Sequence, residues 1–107
     1  MANNISYRPE LYLGEGINEK KLDRIKKKLE NRPAFSGVFL ISISRNDSDQ
    51  LEIYGASQLS WRYYRENPPY VVGIAYSREE AVALVEKMAA DCLYARGDCE
   101  LKEYLRC

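Results

Sequence analysis

Apolar and aromatic residues run from Val71 to Tyr76, interrupted only by Gly73, and then recur at helical spacing beyond Ser77. That pattern predicts a strand buried on both faces feeding a long helix. Ser77 with Glu80 three residues on forms a capping box: the hydroxyl takes an early helix N–H and the carboxylate reaches back to the Ser77 amide. At about 100° per residue, Ala81, Leu84, Val85, Met88, Ala89 and Cys92 fall on one side, and Glu79, Glu80, Glu86, Lys87 and Asp91 lie opposite. The stripe is the core face, with Val85 in its middle.

Upstream, residues 1–9 are polar and read as a frayed lead-in, and residues 10–13 as a short strand. Gly14-Glu15-Gly16 makes a turn, and Asn18 caps a helix over residues 18–31 with a narrow apolar stripe of Leu22, Ile25 and Leu29. Pro33 stops it. Residues 38–44 and 51–53 alternate as two strands of a hairpin around the polar turn 46–49. Ser57 caps a short helix carrying Leu59 and Tyr63 on one side, closed by Pro68 and Pro69. Gly97 ends the long helix, and Asp98 caps a last helical turn holding Leu101, Tyr104 and Leu105.

The order β-α-β-β-(short α)-β-α predicts one α+β domain over residues 1–107: a two-layer sandwich with a four-stranded mixed sheet, two long helices on one face and a short C-terminal helix. With the short helix counted as a second crossover, the first six elements follow the ferredoxin-like order. Such an arrangement leaves the second sheet face apolar and bare. Either the segment 61–65 and the C-terminal tail cover it, or a second copy does, and a homodimer with that segment or the bare face at its contact is the expected assembly.

Composition narrows the chemistry. Sixteen basic and sixteen acidic residues cancel, which argues against disorder and against a generally basic nucleic-acid binder. No apolar run approaches a membrane span, and the N-terminus lacks a signal-peptide pattern, so the chain reads as cytoplasmic. Histidine is absent, which removes the commonest general base and metal ligand. Cys92, Cys99 and Cys107 are an odd count without metal spacing: Cys92 reads as a buried hydrophobe, and neither a disulfide framework nor a zinc site is expected. The Gly14-x-Gly16 turn meets Glu15 and Glu19 where an anion would sit, and the 46–49 turn lacks the calcium-loop series. No catalytic residue, metal or cofactor is assigned.

Two surfaces remain. Lys20, Lys21, Arg24, Lys27 and Lys28 project together opposite the apolar stripe of the first helix, and residues 18–32 carry seven bases against three acids. A solvated face is the plain reading, and an acidic partner or nucleic acid the functional one. The second is Trp61, Arg62, Tyr63, Tyr64 and Arg65, residue types that dominate binding hot spots because they join large area with a polar tip. They form either a lid closing one end of the sheet or a partner surface. The favoured function is a small non-enzymatic interaction protein using this aromatic and arginine surface. The alternatives are a small enzyme built on carboxylates and tyrosines in a sheet-end pocket, and nucleic-acid binding through the basic helix face.

The runs Ser48-Asp49-Gln50-Leu51-Glu52-Ile53-Tyr54, Asn67-Pro68-Pro69-Tyr70-Val71-Val72-Gly73-Ile74-Ala75 and Arg96-Gly97-Asp98-Cys99-Glu100-Leu101-Lys102-Glu103-Tyr104-Leu105 resemble small uncharacterised proteins of clostridial-type bacteria. The resemblance spans most of the chain. It implies a bacterial, cytoplasmic protein and carries no activity or site residue with it.

Overall fold

Four strands pair in the order β1-β4-β2-β3, in a computed structural model that describes residues 5–45 and 48–106. Along the chain these are β1 (Ser6–Leu13), α1 (Glu19–Asn31), β2 (Phe39–Ile43), β3 (Leu51–Gly55), α2 (Arg62–Glu66), β4 (Tyr70–Ala75), α3 (Arg78–Arg96) and α4 (Leu101–Arg106), with short 3-10 turns at Pro33–Phe35 and Ala56–Ser60. The sheet is mixed: β1 runs parallel to β4, while β2 is antiparallel to both β4 and β3. Residues 1–4 of the lead-in, Asn46 and Asp47 of the hairpin turn, and Cys107 lie outside the described residues. The rest of the supposed lead-in is strand from Ser6 onward.

The caps read from sequence form. Asn18 Oδ1 accepts the Lys21 N–H at 2.9 Å, and Ser77 Oγ accepts the Glu80 N–H at 3.1 Å. The Glu80 carboxylate takes the N–H of Tyr76 at 3.0 Å instead of that of Ser77, one residue further back than the box geometry requires. Gly97, at φ +78, closes α3 by donating its N–H to the Leu93 carbonyl, a conformation that glycine adopts without a Cβ penalty. Gln50 then ties the tail to the hairpin: its Oε1 accepts the Leu101 N–H at 2.6 Å and its Nε2 donates to the Cys99 carbonyl at 3.0 Å. Leu101 and Leu105 are thereby buried.

One expectation is corrected. The two long helices do not share a face, so the two-layer, ferredoxin-like placement is replaced by a helical layer on each side of the sheet. Ile25 and Leu29 of α1 pack with Leu40, Tyr54, Leu59, Val71 and Ile74 on one side. Met88 and Cys92 of α3 pack with Ile41, Val72 and Ala75 on the other, joined by Leu101 and Leu105 of α4. The reason lies in β4, whose apolar residues point both ways: a central strand of that kind needs cover on both faces. The bare face assigned to a homodimer contact therefore does not exist. Within α3, Ala81, Met88 and Cys92 are fully buried, and Val85 is only half-buried at the margin.

Register breaks on both sides of Val72. Along β2, Ile41 faces Gly73 while Ser42 faces Val71, so one residue of β4 is extra. Along β1, Tyr7 faces Val71 and Tyr12 faces Gly73, so residues 8–11 stand opposite Val72 alone. Bulges of this kind bend an edge strand and re-aim its side chains. Gly73 permits the close packing that results: a Cβ there would lie 2.9 Å from Ile41 Cδ1, 3.0 Å from Met88 Cε and 3.2 Å from the Tyr12 carbonyl oxygen.

Candidate functional site

The aromatic and arginine segment lies on the α1 side of the sheet, where Tyr64 packs against the core. Its ring stacks on Tyr54 of β3, with centroids 4.9 Å apart and planes 25° apart, and Tyr63 meets it edge-on at 5.1 Å. The other members point outward. Trp61 is 58% exposed and Tyr63 49%, Arg62 and Arg65 are exposed, and α2 buries none of its own residues. Ala56 and Leu59 of the preceding 3-10 turn do the burying instead. Arg62 Nε reaches Glu66 Oε1 at 2.8 Å, an exposed i,i+4 pair of the sort that contributes little to stability. Of the two readings of this segment, lid or surface, Tyr64 alone behaves as a lid.

The basic residues of α1 face outward. Lys20, Lys21, Arg24, Lys27 and Lys28 are all exposed. Lys26, off that face, places its ammonium 4.8 Å over the Tyr7 ring, and the Tyr7 hydroxyl is buried with no hydrogen-bond partner among the described residues. Burial and then the charge of Glu30 push the Tyr7 hydroxyl up to about 12. The sheet separates this layer from one of opposite sign, because residues 77–107 carry five bases against seven acids.

A second constellation was not legible from spacing. The bulge in β1, the polar flank of α3 and α4 enclose an open cavity of about 310 Å³, lined by Arg8, Glu10, Tyr12, Lys87, Asp91 and Tyr104 among others. The Tyr12 hydroxyl donates to Asp91 Oδ2 at 2.6 Å and lies 3.4 Å from the Tyr104 hydroxyl. Burial, then the hydrogen bond to Asp91, drives Tyr12 ionisation well above the ordinary tyrosine range, so Tyr12 is a neutral donor and not a base. Arg8 donates through Nε to the Leu105 carbonyl at 3.2 Å and through Nη1 to the Glu10 carbonyl at 2.5 Å. Its guanidinium carbon is 5.7 Å from the centroids of both the Tyr12 and Tyr104 rings, and the Lys87 ammonium is 5.9 Å from that of Tyr12. The one trace in the sequence was Lys87 and Asp91, four apart on the polar flank of α3. Arg8 fell in a stretch read as frayed, and the bulge that turns it inward has no local signature.

Among the described residues, no three His, Cys, Asp or Glu side chains come together to hold a metal ion, and no helix is long and apolar enough to cross a membrane. Cys92 is buried and Cys99 exposed, both as free thiols, and burial pushes the Cys92 thiol up. Comparison with protein-family models, curated proteins and solved structures finds no match to this chain.

Proposed function

We propose that this is a small cytoplasmic interaction protein, not a catalyst, and that its contact surface is the outward side of α2 with Trp61, Arg62, Tyr63 and Arg65. The observation that carries the reading is the division of labour at α2. One aromatic, Tyr64, is stacked on the sheet, and it fixes two others in the solvent. Exposed rings held on a rigid base lose little conformational entropy when a partner covers them, which is what a hot spot requires. The basic face of α1 flanks the same side of the sheet, so the complementary partner surface is acidic around an apolar anchor.

A second copy meets that description. Its α3–α4 layer has the acidic excess, and α3 exposes Val82, Leu93 and Tyr94. Self-association by this contact buries the aromatic surface of one copy against the acidic layer of the next.

Trp61 is the sole tryptophan and reports directly on its own burial. Light scattering with reductant present, at rising micromolar concentration, is expected to give a mass above that of the monomer, with a blue shift of Trp61 emission. Tyr63→Ala should return the monomer mass while keeping the fold. A monomeric mass and concentration-independent emission would overturn self-association. Emission that is likewise unmoved by acidic protein surfaces at low salt would overturn the α2 reading itself. Saturable, salt-sensitive quenching by single-stranded RNA would replace it with base stacking on the same rings.

A further inference from the structure

We infer that the cavity under the β1 bulge binds a small zwitterion of the free amino-acid class. This site lies on the α3 side of the sheet, away from α2 of the same copy.

The backbone is the first ground. Residues 8–11 stand opposite a single residue of β4, which forfeits ladder pairing while Arg8 reaches the Leu105 carbonyl and the Tyr12 and Tyr104 rings. Departures of this size from regular pairing gather beside sites, where they re-aim side chains.

Charge is the second. The groove is lined by two cations, Arg8 and Lys87, and two carboxylates, Glu10 and Asp91. None of the four is ion-paired among the described residues, although Lys87 and Asp91 stand i,i+4 on one helix. The cations are instead placed against tyrosine rings, which hold a positive charge without neutralising it. Among the described residues, Arg8 Nη2 and Asp91 Oδ1 have no hydrogen-bond partner.

Elimination by sign then selects the ligand. A simple anion drawn to Arg8 and Lys87 would meet two carboxylates, and a simple cation drawn to Asp91 would meet two cations. A molecule carrying both signs answers both, with its carboxylate between Arg8 Nη2 and the Lys87 ammonium and its ammonium toward Asp91 Oδ1. The cavity, at about 310 Å³, lies at the small end of ligand sites, which suits an amino acid better than a nucleotide. The Tyr12 and Tyr104 hydroxyls complete the wall, Tyr12 holding Asp91 in place.

The test is a titration of the full chain, observed by amide chemical shifts, with the common L-amino acids one at a time and with acetate and methylamine as single-charge arms. At least one amino acid is expected to give saturable shifts at residues 8–13 and 87–91, with acetate and methylamine giving none at the same concentration. Lys87→Met and Asp91→Asn should each weaken that binding about tenfold or more. Among the described residues Lys87 has no hydrogen bond to lose, and asparagine still accepts from Tyr12, so both variants should keep the native spectrum elsewhere. No saturable shift with any amino acid, an equal response to acetate or methylamine, or undiminished binding by both variants would each overturn the assignment.

Discussion

The Tyr64 ring lies on the Tyr54 ring at 4.9 Å, and this contact joins the exposed surface of α2 to the core. Tyr54 is itself buried in β3, where its hydroxyl meets Ser42 Oγ of β2 at 2.6 Å. The chain of contact runs from sheet to stacked ring to solvent.

Tyr64→Ala should loosen α2 with a modest global cost, about 1–2 kcal/mol for a half-buried aromatic that loses its stack. Amide exchange across Arg62–Glu66 should accelerate, and the anisotropy of Trp61 should fall. Trp61→Ala, by contrast, should leave the melting midpoint almost unmoved, within about 0.5 kcal/mol. A large loss of stability on Trp61→Ala would make that residue a lid.

The same substitution should act with different signs at two tyrosines. Tyr54→Phe removes a buried hydrogen bond and strands Ser42, at a cost of about 1–3 kcal/mol. Tyr7→Phe removes a buried hydroxyl that has no partner among the described residues. It should be neutral or stabilising by up to about 1 kcal/mol. Urea midpoints of the two variants settle the comparison.

Gly73→Ala should destabilise by about 1–3 kcal/mol, because the new methyl overlaps Ile41 and Met88 and crowds the Tyr12 carbonyl across a central strand. The Tyr12 backbone is the least able to yield, so the amide shifts of residues 8–13 should move with it. An unchanged melt would mean that Met88 swings away freely.

Burial on α3 ranks two charge insertions. Met88→Asp places a carboxylate at a fully buried position and should cost several kcal/mol. Val85→Asp lies at the half-buried margin and should cost distinctly less, since the carboxylate can turn to water. Reversal of that order in thermal melts would show the helix to be rotated from its observed facing.

Alkaline pH should weaken the fold before any ordinary lysine effect. Tyr7, Tyr12, Tyr54 and Tyr64 are all pushed above the usual value near 10.0, burial being the largest cause for each. The folded state therefore keeps protons that the unfolded chain releases. Their contribution is complete below pH 10 and declines as pH rises through that value toward about 12, where Tyr7 ionises in the fold. Urea midpoints against pH should turn down in that window, and Tyr7→Phe should shallow the slope.

Local chemistry settled where the elements are. Asn18, Ser77 and Gly97 terminate helices by hydrogen bonds and φ angles that depend on a few neighbouring residues, so α1 and α3 were legible with their caps, and the β2–β3 hairpin with its alternation. The exposure of the basic face of α1 was legible for the same reason, since helical spacing alone fixes a common side. The placement of α1 and α3 on opposite faces of the sheet was not. A stripe tells a helix to bury one side but not which sheet face to bury it against; that choice depended on β4 pairing between β1 and β2, where its two apolar faces had to be covered together. Nor could spacing bring Arg8, Tyr12, Lys87, Asp91 and Tyr104 to one cavity. They come from β1, α3 and α4, and it is at the register break opposite Val72, between strands far apart in the chain, that the first of these segments meets the other two.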